Sequence, residues 1–404
     1  MTKNLKEISE AVRLYDILNK KQDKVVCRFI GGCVRDQILS REIKDIDLAT
    51  SLLPDQVKDL LSKENISIND DNKNYGLITA YINKYKFEIT TLRKDINQKG
   101  RQSDILFTTD WKQDALRRDF TINSIYYDFN NYIDPFNGIS DLKNGKIRFI
   151  SDPSQKIKED YLRALRYFRF FAIYSKEDHD DYVLNSIVKH EQGILNLSKE
   201  RLIQELSKIL LSGKAYILFN NKFCKDFFSY VYKGIKYFER LDFGKSNKTI
   251  DISFDYIILL ALLLIDTSDH YKKFIKDFNL SNKVKDRLTN IQKNYQNNIG
   301  SLIESFDELE KKLISYPKST LKDYIQFQYL VNNDYSYEEY LKKYNNLRQF
   351  DSPVFKFDSS VLISGGVKEG PNLGKAISFL KHRWISNNYS ITDKDIEDAI
   401  EIYK

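Results

Sequence analysis

The stretch IGGCVRDQILSREIKDIDLAT, residues 30–50, closes an apolar run, VVCRFI at 25–30, and opens another, IKDIDLAT at 43–50. Both runs have the β-branched content of strands, and VRDQILS between them reads as a helix. Gly31 and Gly32 therefore sit at a strand-to-helix turn. Without side chains there, backbone N–H groups can approach a phosphate, and the helix start adds positive potential. Arg35 lies in the first turn, where its guanidinium can reach a triphosphate. Asp45 and Asp47 are two apart in a strand, so they share a face while Ile46 points to the core. Two carboxylates on one face repel unless a cation joins them. Mg²⁺ takes carboxylate oxygens together with substrate phosphates. A lone Gly-Gly is an ordinary turn and a lone Asp-x-Asp is an ordinary solvated strand. Turn, arginine and carboxylate pair in one stretch together point to a metal and phosphate site.

Outward from this stretch, LITAYI (77–82), YKFEITTL (85–92) and INSIYYDF (122–129) also have strand character. Glu88, on the second of these, is a candidate third carboxylate beside the pair. PDQVKDLLSKE reads as a helix opened by Pro54. DPFNGISDLKNGKIRFI (134–150) reads as a turn-rich hairpin bending at Gly138 and Gly145. From about residue 151 the period becomes helical and stays so. DPSQKIKEDYLRALRYFRFFAIYS reads as one amphipathic helix, and SKERLIQELSKILLS as another, with Ser198 as N-cap and Arg201–Glu205 as an i,i+4 pair.

The chain has 404 residues, 42% of them hydrophobic and 30% charged, with a net charge of +7. That supports several folded domains and suits a polyanionic partner without requiring one. Three cysteines without a CxxC spacing suggest neither a disulfide framework nor a zinc site, and fit a reducing compartment. The first residues read as an amphipathic helix, not a targeting peptide. The longest apolar run, YIILLALLLI at 256–265, is too short to span a bilayer and reads as a buried helix. His179-Asp180 resembles the dipeptide of metal phosphohydrolases, but no other histidines complete a ligand set.

Two further clusters carry chemistry. In ALRRDFTINSIYYD (115–128), Arg117 and Arg118 can neutralise phosphates and Asp119 can accept from ribose hydroxyls. In EDYLRALRYFRF (159–170), Asp160 and Arg163 are three apart on a helix. An intrahelical ion pair is the plain reading. The sharper reading is an acceptor placed beside a donor. Cytosine and adenine offer an amine beside a ring-nitrogen acceptor and match that pair. Guanine and uracil reverse the order. Such a pair selects C and A without a template.

With these motifs in hand, the chain resembles the class II tRNA nucleotidyltransferases, the CCA-adding enzymes, and the related bacterial poly(A) polymerases. GGCVRDQILSREIKDIDLAT, FEITTLRKD, FTTDWKQDALRRDFTINSIYYD, DPFNGISDLKNGKIRF, EDYLRALRYFRF and SKERLIQELSKIL follow the family order over roughly residues 25–215. The resemblance implies an α+β chain with a polymerase-β-type nucleotidyltransferase head (1–145), then an all-α neck with the nucleobase-reading helix (146–215), a body (216–330) and a tRNA-binding tail (331–404). It implies Asp45 and Asp47 as metal ligands, with Glu88 beside them in catalysis, and Mg²⁺, two ions, as cofactor. Gly31, Gly32 and Arg35 would cradle the triphosphate, with Arg118 and Asn123 near the phosphates. Asp119 would sit at the ribose. Asp160 and Arg163 would read the base, supported by Arg166. Expected partners are tRNA, CTP and ATP, with no membrane and no protein partner, in the cytoplasm. The alternatives are a poly(A) polymerase, a partial CC- or A-adding enzyme, or a catalytically dead tRNA-binding protein. The loop RKDINQKGRQSD (93–104) departs from the family: Lys99-Gly100-Arg101-Gln102 stands where relatives often have Asp-Gly-Arg-His. That loop is implied in the switch from C to A.

Overall fold

The computed structural model describes residues 3–20, 22–99, 102–243, 254–297, 317–332, 334–349, 354–387 and 389–404. The chain forms two compact units, Met1–Val231 and Tyr232–Lys404.

The first unit opens with α1 (Ser9–Asn19), β1 (Cys27–Ile30), α2 (Gly32–Ile38), β2 (Ile46–Thr50) and α3 (Pro54–Lys63). Next come β3 (Ser67–Asn69), β4 (Leu77–Ile82), β5 (Tyr85–Thr91), β6 (Arg93–Lys99), β7 (Gln102–Phe107) and α4 (Trp111–Leu116). The short strands β8 (Tyr126–Tyr127) and β9 (Tyr132–Ile133) complete a seven-stranded sheet of order β3-β4-β5-β2-β1-β8-β9. β1 runs antiparallel to β2 and β8, while β2 runs parallel to β5.

Alternation along the strands gives the sheet two faces. Phe29, Leu48, Phe87 and Ile89 join Leu14 and Leu18 of α1 and Val57 and Leu61 of α3 in the main core. Ile46 belongs to that core as well and is 1% exposed. Ile30, Ala49 and Tyr126 on the other face pack with Ala115 of α4. Asp47 and Glu88, each one residue out of phase with the core strand positions, belong to this second face.

Three readings change. Residues 93–99 and 102–107 form a separate two-stranded ribbon, β6 paired with β7, rather than a loop. Gly100 and Arg101 lie outside the described residues. Residues 134–150 are not a hairpin: they contain α5 (Gly138–Asn144), which Gly145 ends in a left-handed conformation. Of 122–129 only Tyr126–Tyr127 is strand, because Thr121–Asn123 turns as a 3₁₀ helix.

Helices follow: α6 (Pro153–Glu159), α7 (Leu162–Tyr174), α8 (Asp181–Lys189), α9 (Glu191–Leu195) and α10 (Lys199–Leu210). The expected single helix over 152–175 is thus two. α6 starts at Pro153 behind the Asp152 cap and stops at Asp160, whose backbone is extended. Ser198 caps α10 as expected, accepting from the Arg201 N–H.

The second unit has no strand among its described residues. The apolar run forms a helix, Tyr256–Leu264, with Ile257 through Leu264 all buried. Arg287 ties two parts of this unit together, bonding Asp255 at 2.7 Å and Asp323 at 2.6 Å. Among the described residues no helix is long and apolar enough to cross a membrane. The α+β fold class, a sheet-bearing N-terminal head followed by helices, is as the sequence implied.

Candidate active site

Asp47 is the Cα partner of Ile30 on one side and of Glu88 on the other. It therefore sits at the exit of β1, beside the Gly31–Gly32 turn. Gly31 has φ +78°, and a Cβ on it would meet Asp47 Oδ2 at 3.2 Å. Glycine is needed there both for the left-handed backbone and for the carboxylate's approach. Asp45 is exposed, just ahead of β2. Burial pushes the Asp47 carboxyl up to about 6, and the charges of Glu88 and Asp45 act in the same sense; Arg118 and Arg35 oppose them.

These carboxylates suit a divalent cation. Asp47 is costly when ionised and alone, and a cation on its oxygens would remove that cost. Among the described residues no three acidic, imidazole or thiolate groups converge as a metal cage. Glu88 lies beside Asp47 in register, but its Oε1 accepts from Lys86 at 2.6 Å. A metal here would take its remaining ligands from substrate phosphate and water, as Mg²⁺ commonly does.

One hydrogen-bonded chain joins the three motif clusters. Arg35 donates through Nη1 to Asn123 Oδ1, and its Nε is 3.3 Å from the Tyr174 hydroxyl. Asn123 Nδ2 donates to Asp119 Oδ1 at 2.7 Å, and Arg166 Nε donates to Asp119 Oδ2 at 2.6 Å. The Phe120 N–H adds a third bond to Asp119. Burial pushes the Asp119 carboxyl up, but Arg166 and Asn123 outweigh it and hold the group well below the usual carboxylate range. Arg35 also lies over the Phe170 ring, 5.1 Å from its centroid. Residues from 35, 119–123 and 166–174 thus converge next to the Gly31 turn.

The third cluster differs from its expected geometry. Asp160 sits between helices, not on one, and it does not ion-pair with Arg163. Arg201 Nη2 bonds both Asp160 oxygens, at 2.8 and 2.9 Å. Arg163 instead bonds Glu159, the Lys156 carbonyl at 3.1 Å and the Arg117 carbonyl at 2.8 Å. The expected Arg201–Glu205 pair is absent as well: Glu205, 2% exposed, accepts from Arg169. Sequence spacing sees only neighbours along a helix, whereas these ion pairs join residues about forty positions apart.

Asp114 was not singled out by its sequence, yet it is a hub. Fully buried, it accepts from Arg117 Nε at 2.8 Å, from Arg118 Nη2 at 3.1 Å and from the Tyr126 hydroxyl at 2.8 Å. The Arg93 N–H at the root of the β6–β7 ribbon reaches it too, at 3.3 Å. Its spacing of three and four from Arg117 and Arg118 was the available signal. Arg118 is therefore turned toward Asp114 in this state. His179 lies between the Tyr167 hydroxyl and Cys224 Sγ and stacks on Phe171.

The family described as "Poly A polymerase head domain" matches residues 27–148, and "Probable RNA and SrmB- binding site of polymerase A" matches 180–236. The human CCA tRNA nucleotidyltransferase 1, mitochondrial, is 32% identical over 385 residues, 93% of this chain and 86% of the relative. The CCA-adding enzyme of Lactobacillus helveticus is 28% identical over 384 residues, 93% and 92% of the two chains. Among solved structures, the Bacillus stearothermophilus CCA-adding enzyme in complex with CTP superposes with a TM-score of 0.72 at 20% identity, over 98% of this chain and 97% of that one. That structure speaks to the fold, and the human relative to the lineage. Together with the converging motif clusters, this full-length similarity means that the chain belongs to the CCA tRNA nucleotidyltransferase family.

Proposed function

We propose that this protein completes tRNA 3′ ends with C, C and A from CTP and ATP, without a template and with release of pyrophosphate. The observation that carries the reading is the bonded chain Arg35–Asn123–Asp119–Arg166 beside the Asp47–Glu88 pair. It gathers around one turn the residues we assign to phosphate, sugar and base.

Family members use a divalent metal; its identity as Mg²⁺ and its number, two, are our assignment. Held by Asp45 and Asp47, with Glu88 adjacent, the metal would supply Lewis-acid activation of the tRNA 3′-hydroxyl and charge neutralisation at the pyrophosphate. The rest falls to the chain. Gly31 and Gly32 let the backbone approach the triphosphate, and Arg35 clamps it. Arg118 swings from Asp114 to the phosphates when nucleotide arrives. Asp119, fixed by Arg166 and Asn123, accepts from the ribose. Asp160 accepts from the exocyclic amine of cytosine or adenine and Arg163 donates to the ring nitrogen. We assign residues 1–145 to the head, 146–215 to the neck, 216–330 to the body and 331–404 to a tail that binds tRNA. The three cysteines are free and buried, which suits a reducing compartment, and we place the reaction in the cytoplasm. The human relative's name puts that protein in the mitochondrion, so cell fractionation decides this point.

The head family's name keeps poly(A) polymerisation as the rival reading. Purified protein, Mg²⁺, CTP, ATP and a tRNA lacking its last three nucleotides should release pyrophosphate, and Asp45→Ala or Asp47→Ala should not. Release that survives both substitutions removes the pair from the mechanism.

A further inference from the structure

Asp160 is fixed from outside its own stretch of chain. It stands where α6 ends, with φ −150° and ψ 107°. Its backbone N–H closes α6 on the Lys156 carbonyl and its carbonyl accepts from the Arg163 N–H, but its side chain is held by other parts of the chain. Arg201, from α10, bonds both carboxylate oxygens through a single nitrogen, at 2.8 and 2.9 Å. The Leu162 N–H takes a further direction on Oδ1, at 3.1 Å. An ionised carboxylate has about four acceptor directions. Arg201 uses one on each oxygen and Leu162 a second on Oδ1, which leaves one open on Oδ2. The pair is about one-fifth exposed on each side, so the carboxylate is anchored without being sealed away.

We infer that Arg201 is a specificity-determining positioning residue: it anchors Asp160 so that the open Oδ2 direction meets the exocyclic amine of C or A. This rests on the assignment of Asp160 as the base reader. An anchored carboxylate also rejects. The carbonyl that uracil or guanine presents at that place would meet fixed acceptor lone pairs with nothing to donate. A carboxylate free to rotate turns aside, and Arg163 is then able to donate to the intruding carbonyl. Selectivity therefore depends on holding Asp160 still, and Arg201 does the holding. Arg201 touches no substrate in this scheme and acts through Asp160 alone.

The test is steady-state kcat/KM for CTP, UTP, ATP and GTP on tRNA ending one nucleotide short at each step, with Arg201→Ala, Arg201→Lys, Asp160→Ala and the Arg201→Ala/Asp160→Ala double variant. Melting curves accompany each protein. Arg201→Ala should lower the CTP/UTP and ATP/GTP ratios at least tenfold, with KM for CTP and ATP rising. Arg201→Lys keeps a donor and a charge and should recover part of the ratio. In the Asp160→Ala background, loss of Arg201 should change neither ratio further. Should Arg201→Ala fail to fold, Arg201→Lys and Arg201→Gln carry the same comparison. Ratios within twofold of wild type in the Arg201 variants, with Asp160→Ala collapsing them, overturn the inference and leave Asp160 as base reader. Ratios untouched by Asp160→Ala overturn both. A further loss in the double variant shows Arg201 acting by another route and also overturns the inference.

Discussion

Asp47 and Glu88 stand directly opposite each other on the parallel strands β2 and β5, and Asp47 Oδ2 lies against Gly31 at the mouth of the Gly31–Gly32 turn. Two negative groups are thereby held together on a partly buried face. The Asp47 carboxyl rises to about 6, against an ordinary value of 3.8. The native state therefore binds more protons than the unfolded state between those pH values, and stability without metal rises as pH falls through that window. Above pH 6 the ionised carboxylate is a cost. Asp47→Asn should raise the stability of the metal-free protein at pH 7.5 by about 1–2 kcal/mol, with the gain vanishing below pH 4, and should abolish incorporation of both nucleotides. Melting in chelator at the two pH values checks the sign. A lower melting point at pH 7.5 contradicts the electrostatic reading.

Asp114 carries the opposite sign. Burial pushes its carboxyl up, yet Arg118, Arg117 and the Tyr126 hydroxyl hold it well below the usual range. Its contribution is present above the unfolded value and is lost as pH falls from there through the lowered folded value. Asp114→Asn leaves two partly buried guanidinium groups short of a charge partner and should cost about 3 kcal/mol. Urea unfolding at pH 7 and pH 3 should show that deficit shrinking in acid. A deficit independent of pH would mean that the hub stabilises by packing alone.

The ring of Tyr161 occupies the space where a Cβ on Gly193 would lie. Tyr161 adjoins Asp160 and caps α7. Gly193→Ala should force the ring aside at about 1–3 kcal/mol and weaken C-over-U choice through its neighbour. Adding Tyr161→Ala should relieve the stability loss, giving coupling in a double-mutant cycle. Additive losses would deny the contact.

How far the sequence reached follows from what each signal can see. Strands 77–82 and 85–91 were legible from their β-branched and aromatic content, with a clear alternation of burial in the second. The ribbon at 93–99 and 102–107 was not, because strands outside the main sheet need no such alternation. Asn137-Gly138 and Asn144-Gly145 looked like hairpin turns, but left-handed Asn137 and Gly145 bracket a helix instead. The amphipathic period runs unbroken through Asp160, so nothing local marks the break there. Asp45, Asp47, Gly31, Arg35 and Asp119 could be picked out because their chemistry is packed into short motifs. The partners of Asp160 and Glu205 could not, since Arg201 and Arg169 reach them across long stretches of chain; the Glu159–Arg163 pair, only four residues apart, was within reach of the spacing.

The most direct measurement is the length and sequence of the product made from a tRNA lacking its last three nucleotides, with CTP and ATP both present. On the proposed assignment one Asp160–Arg163 site serves two bases in order, so the product should grow by C, C and A and stop. A ladder of adenosines would contradict this account and make the protein a poly(A) polymerase. A clean stop after the second C with ATP present would contradict it too, and would locate the difference in Lys99 and Gln102, at the end of β6 and the start of β7.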